Sequence, residues 1–125
     1  MRYLCLIHFD ELALASMPAA QRNALNAARL DFNDELRRTG QFLIAEALDP
    51  PRTGRTVTVR DGRTVVTDGP FAETKEIIAG FDVVEAADLT EATEIAARLP
   101  VAPLATVEVR PACQLAVEGR EPRWG

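Results

Sequence analysis

The run Thr67-Asp68-Gly69-Pro70-Phe71-Ala72-Glu73-Thr74-Lys75-Glu76 sets four ionisable side chains around a rigid turn. Pro70 fixes its own φ and restricts Gly69, so the chain leaves the preceding strand by one path and Asp68 is held in a defined place. A carboxylate held on an apolar face can serve as general acid or base, which makes Asp68 a candidate catalytic residue. The plainer reading is a turn aspartate bonded to nearby backbone amides. Phe71 and Lys75 follow on the same turn as candidate substrate contacts, whereas a charge run such as Glu73, Lys75 and Glu76 is ordinarily solvated.

His8 is the one histidine, and histidine is the side chain that changes charge near neutral pH. It stands at the end of an apolar strand, on the face of Leu4 and Leu6, and is the second candidate catalytic residue, with Asp68 or Glu46 as acid partner. Its plainer role is a strand-end ring bonded to backbone or water. Glu46, read as sharing a face with Phe42 and Ile44, is either paired or functional; Lys75 and Arg110 are its expected partners, and all three are candidates for substrate binding.

Other chemistries are missing. There is no glycine-rich phosphate loop, no Gly-x-Ser-x-Gly elbow and no His-Glu-x-x-His or paired-cysteine spacing, so no cofactor and no metal are expected. Cys5 and Cys113 fit neither a disulfide framework nor a zinc site, and both read as reduced thiols, with Tyr3 and Cys5 in the core. With 14 basic and 19 acidic residues the net charge is −5, and no basic cluster exists beyond Arg37-Arg38. Nucleic acid is therefore an unlikely partner. The apolar run after Met1-Arg2 is too short for a signal peptide and none approaches a membrane span, so no membrane association and a cytoplasmic location are expected.

The elements that position these residues follow from periodicity. Tyr3, Cys5, Ile7 and Phe9 alternate with Leu4, Leu6 and His8, which predicts a central strand apolar on both faces. Ser16 and Pro18 open a helix of about 20 residues with Leu25, Ala28, Phe32 and Leu36 on its apolar stripe, ended by Gly40. A strand over Gln41 to Leu48 stops at Asp49-Pro50-Pro51. Asp61-Gly62 joins strands Arg55 to Arg60 and Arg63 to Thr67 as a two-residue hairpin, with Val57 opposite Val66 and Val59 opposite Thr64. That register puts Asp68 on the valine face. Gly80 to Ala87 is a further strand, Asp88-Leu89-Thr90-Glu91 is a capping box opening a second helix, Pro100 ends it, and Thr106 to Arg110 is the last strand. A polar tail from about residue 112, with Trp124 near its end, reads as an arm that is either unstructured or docked across a dimer.

The whole is a single domain over residues 1–125, of β-α-β, hairpin, β-α-β order: an α+β, ferredoxin-like antiparallel sheet with an inserted β-hairpin. Two helices cover one sheet face, yet the strands are apolar on both, so a second copy is expected on the other face in a two-fold dimer.

The turn segment, together with Met1-Arg2-Tyr3-Leu4-Cys5-Leu6-Ile7 and Val107-Glu108-Val109-Arg110-Pro111, resembles the YCII-related family, in its branch marked by Asp-Gly-Pro-Phe. The resemblance implies a dimeric α+β barrel. It supplies no substrate; members of this branch resemble partners of extracytoplasmic-function sigma factors, which implies a regulatory association. The branch usually has tyrosine where His8 stands, and the wider family's proposed histidine and aspartate pair lies in a different sequence context, so it is not carried onto His8. Two functions follow as expectations: a small-molecule pocket near Asp68 running cofactor-independent lyase or isomerase chemistry, or a non-enzymatic ligand-sensing or accessory module.

Overall fold

Strand β1 (Arg2–Asp10) forms from the strict alternation at its positions and buries Tyr3, Cys5, Ile7 and Phe9, leaving the even positions half-buried. The computed structural model, which describes residues 1–125, continues with a short helix α1 (Glu11–Ala15) that the sequence reading did not separate. Asp10 caps it, accepting from the Ala13 amide at 3.0 Å, and Ser16 closes it by donating its hydroxyl to the Leu12 carbonyl at 2.7 Å. Ser16 thus ends one helix rather than opening the next. Helix α2 (Ala19–Arg38) begins immediately after Pro18, and Gly40 follows its end at φ 75°, a left-handed turn that glycine adopts without a Cβ clash.

The core-facing stripe of α2 is Leu25, Arg29, Phe32 and Leu36; Ala28, expected in it, is exposed. Leu36 is 1 % exposed, and burial of such a side chain contributes ~1.5–3 kcal/mol. Strand β2 (Phe42–Ala47) leads through a 3-10 turn (Pro51–Thr53) into the hairpin β3 (Arg55–Arg60) and β4 (Arg63–Asp68). Asp61 and Gly62 have φ of 51° and 73°, the left-handed pair a two-residue hairpin requires, and Val57 opposes Val66 as the register predicts. Strand β5 (Glu76–Glu85) is followed by α3 (Leu89–Arg98), whose Glu91 amide donates to the Asp88 carboxylate at 2.8 Å. Strand β6 (Thr106–Pro111) completes the sheet.

The sheet order is β2-β5-β1-β6 with every pairing antiparallel, a ferredoxin-like α+β fold with the hairpin inserted between β2 and β5. The helices cover one face, closing a core of Cys5, Ile7, Phe32, Leu36, Val84, Ala92 and Ile95 among others. The other face is open: Leu4, Leu6, Phe81 and Val83 are half-buried on it and Ile44 is exposed. The tail folds back on its own chain rather than extending as an arm. Strand β7 (Gln114–Leu115) pairs with β8 (Arg123–Trp124), and the Arg2 guanidinium lies 4.9 Å from the Trp124 ring centre. No helix is long and apolar enough to cross a membrane.

Two register shifts decide which side chains reach the open face. Between Phe42 and Ile44 the β2 register slips, so Phe42 faces Val84 and the core while Ile44 and Glu46 stand opposite Val83 and Phe81. Phe42 therefore does not share the face of Glu46, as simple alternation predicted. In β5 the extra residue is Ala79, opposite the Ile7 to His8 step; beyond it Ile78 lies beside His8 and Ile77 turns into the core at 8 % exposure.

Candidate active site at the His8 end of the sheet

The open face ends at His8, and there the loop from Pro70 to Glu76, the Leu48–Arg52 segment and the end of β1 enclose a cavity of about 930 Å³. That volume lies within the range of small-molecule pockets, ~300–1,000 Å³. His8, Phe71 and Lys75 line it; Asp68, Glu46 and Arg110 do not. Cations on its wall are Arg52 and Lys75, and the acids are Glu11, Asp49, Glu73 and Glu76.

The pairing of β1 with β6 sets Leu6 opposite Glu108 and His8 opposite Thr106, so Glu108 is diagonal to His8 on the open face. His8 Nε2 donates to Glu108 Oε1 at 3.1 Å, with the side chains 28 % and 48 % exposed. Glu108 was not among the residues singled out from sequence. Its only signal was alternation along the last strand, since which strand neighbours β1 is settled by long-range pairing. A carboxylate accepting from Nε2–H orients the ring and, in the neutral form, leaves Nδ1 as the acceptor, an arrangement suited to general base catalysis. Arg110 Nε lies 4.0 Å from the other oxygen of Glu108 rather than beside Glu46.

Asp68 is placed differently from expectation. It does share the valine face of the hairpin, but that face meets solvent: the Asp68 side chain is 91 % exposed and 3.4 Å from Arg55 Nε, its cross-strand partner. The desolvation that would make it an acid or base is absent, because the hairpin stands away from the sheet. Gly69 carries the turn at φ 88°, and its amide donates to the Gly54 carbonyl at 2.9 Å. Glu46 is exposed, and Lys75 reaches Asp10 at 3.7 Å instead of Glu46. His8 bonds to Glu108, while Asp68 on the hairpin pairs with Arg55 and Glu46 stands on β2 opposite Phe81, so neither is the acid partner of His8.

On the helix side of the sheet lies the buried acid that the sequence reading missed. Asp82 is 3 % exposed, opposite Cys5 on β1. Burial pushes its pKa above the ordinary carboxylate value, and the Arg29 charge on α2 opposes that shift. Its signal was legible: Asp82 falls on the alternation Gly80, Val84, Ala86, as Arg29 falls at the helical spacing of Leu25, Phe32 and Leu36. Cys5 is wholly buried, and burial, then the Asp82 charge, pushes its thiol up to about 11, so it is a core side chain and not a nucleophile.

A family model for the YCII-related domain matches residues 1–116. The chain belongs to this family. An uncharacterized protein of Rhizobium meliloti (strain 1021) is 35 % identical to this YCII-related chain over 104 residues, covering 82 % of it and 74 % of the relative. Among solved structures, a 5-chloro-2-hydroxyhydroquinone dehydrochlorinase from Burkholderia phenoliruptrix AC1100, in complex with 2,5-dihydroxybenzoquinone, superposes with a TM-score of 0.50 at 18 % identity. It covers 89 % of this chain and 92 % of the other. That likeness is one of fold.

Proposed function

We propose that this YCII-related chain binds a small, polar or aromatic organic molecule in the His8 cavity and performs cofactor-independent proton transfer of the lyase or isomerase kind. The observation that carries the reading is the His8–Glu108 pair, with His8 on the cavity wall. In this scheme Nδ1 of His8 takes a proton from carbon or hydroxyl, Glu108 steadies the imidazolium that forms, and the proton returns to product or leaves with solvent. Phe71 supplies a flat apolar wall, Lys75 and Arg52 receive oxyanion character, and Asp68 with Arg55 shapes the turn. The fold neighbour's own ligand, a dihydroxybenzoquinone, suits a cavity of this size and mixed polarity and is the first molecule to try.

The working unit is a two-fold dimer in the cytoplasm, joined through the open face. Its support is the half-buried Leu4, Leu6, Phe81 and Val83 with no cover in the single chain.

Calorimetric titration of the wild type, His8→Asn and Glu108→Gln with 2,5-dihydroxybenzoquinone and related hydroxylated aromatics tests the site. Binding that His8→Asn weakens at least tenfold, with unchanged circular dichroism, is expected; equal affinity in the two proteins removes His8 from it. Solvent deuterium incorporation into a bound ligand, lost in His8→Asn, marks proton transfer. Binding with no exchange and no turnover would instead favour the alternative, a non-enzymatic ligand-sensing or accessory module associated with sigma-factor regulation.

A further inference from the structure

The hairpin β3–β4 hydrogen-bonds to no other strand, and Val57, Val59, Val65 and Val66 on it are all more than half exposed, at 59 %, 56 %, 55 % and 53 %. A free two-stranded hairpin is marginal in water, and its apolar edge strands invite pairing. Its charge is opposite to that of the rest of the molecule. Arg52 to Asp68 holds four arginines and two aspartates, a surplus of two positive charges in a chain of net −5, which leaves −7 elsewhere. Arg55 is engaged by Asp68, whereas Arg60 and Arg63 at the tip lie within 4 Å of no carboxylate.

We infer that this hairpin is an arm that lies on a second copy of the chain, with Val57, Val59 and Val66 covering apolar surface at the margin of that copy's open face. Arg60 and Arg63 sit at the tip and alternate to the other face of the ribbon, so their long side chains meet acids of the second copy at the rim of the contact. The acids available are Glu46 and Glu108 on the open face and Glu11, Asp49, Glu73 and Glu76 at the cavity wall. Continuity supports the placement. The arm is rooted between β2 and β5, and both roots, Leu48–Arg52 and Pro70–Glu76, are walls of the cavity at the end of the open face. Valine against Ile44 and Phe81, and arginine against the acids, give the contact an apolar centre and a charged rim. The arm extends the dimer proposed above and rests on it.

Sedimentation equilibrium over a dilution series separates the two ideas. The proteins compared are the wild type, Val57→Asp/Val66→Asp, Val57→Thr/Val66→Thr, Arg60→Glu/Arg63→Glu and, on the open face, Phe81→Asp. The aspartate pair and the charge reversal are expected to raise the dimer dissociation constant at least tenfold, with the threonine pair, which keeps β-branched strand formers, moving it less in the same direction. Circular dichroism is expected to stay as in the wild type, since the altered valines are exposed. If Phe81→Asp yields monomers while every hairpin variant dimerises like the wild type, the arm is overturned and the sheet-to-sheet dimer stands. A wild type that is monomeric at micromolar concentration overturns both.

Discussion

Gly80 is the glycine whose added Cβ would meet the closest neighbour, and replacing it by alanine converts that closeness into a measurable loss. A Cβ there would lie 2.7 Å from the Glu46 carbonyl oxygen and 3.5 Å from Arg29 Nη2. The first neighbour is backbone of β2 and must move with its strand; the second is the far end of a flexible side chain and can step aside. Overpacking of this kind costs about 2 kcal/mol, and alanine returns about 0.5 kcal/mol by stiffening the unfolded chain, for a net loss of about 1.5 kcal/mol. At about 2.1 cal/mol/K of unfolding entropy per residue, that lowers the Tm of a chain this long by about 6 °C. Urea titration followed by circular dichroism, with thermal melts, reads both numbers. Gly54→Ala is the control: its Cβ would meet only the Pro51 oxygen at 3.5 Å, with no left-handed φ, and a gain of about 0.4–1 kcal/mol is expected. Equal or higher stability in Gly80→Ala would refute the reasoning, because it would mean that β2 yields at no cost and that the 2.7 Å approach holds nothing in place.

Asp82→Asn should stabilise the fold at neutral pH. Burial favours the protonated carboxyl in the folded state, so the stability it allows is fully present below the ordinary carboxylate value and is lost as pH rises through the raised folded value; the asparagine variant should lack that decline in a urea midpoint against pH series. Leu36→Ala should cost ~2–5 kcal/mol by urea titration, since the side chain is 1 % exposed where α2 meets the core. Cys113 alone should react with a thiol reagent at pH 8 in the native protein, with Cys5 reacting only after denaturation, because Cys113 is exposed and Cys5 is buried with its thiol pushed up to about 11.

Local chemistry made much of the fold readable from sequence. Asp61-Gly62 dictated both the hairpin and its register, Asp88 with Glu91 marked the start of α3, and the double apolar alternation of Tyr3 to Phe9 marked a strand at the centre of a sheet. What escaped is parity and partnership. A bulge adds one residue without changing composition, so neither the turn of Phe42 into the core nor the exchange of Ile77 and Ile78 at Ala79 could be read from alternation. The site suffered most from this. His8 and its cavity neighbours Phe71 and Lys75 were named in advance, but Glu108 is a hundred residues away in sequence and is brought to His8 only by the β1–β6 register. Asp68 was correctly assigned to the valine face, but local rules do not reveal whether such a face meets sheet or solvent.

The loop over the cavity is tied at both ends. At one end the Gly69 amide bonds to Gly54; at the other the Glu11 amide donates to the Lys75 carbonyl at 3.1 Å while the Lys75 ammonium reaches Asp10. Between these ties, Phe71 to Thr74 forms an exposed strap that can bow but not swing away. Entry of the ligand proposed above past a strap tied at both ends calls for bending of a short span, a loop motion of the nanosecond to microsecond class, without breaking the sheet. On that proposal, residence time in the cavity would be governed by contacts made inside it rather than by opening of the fold.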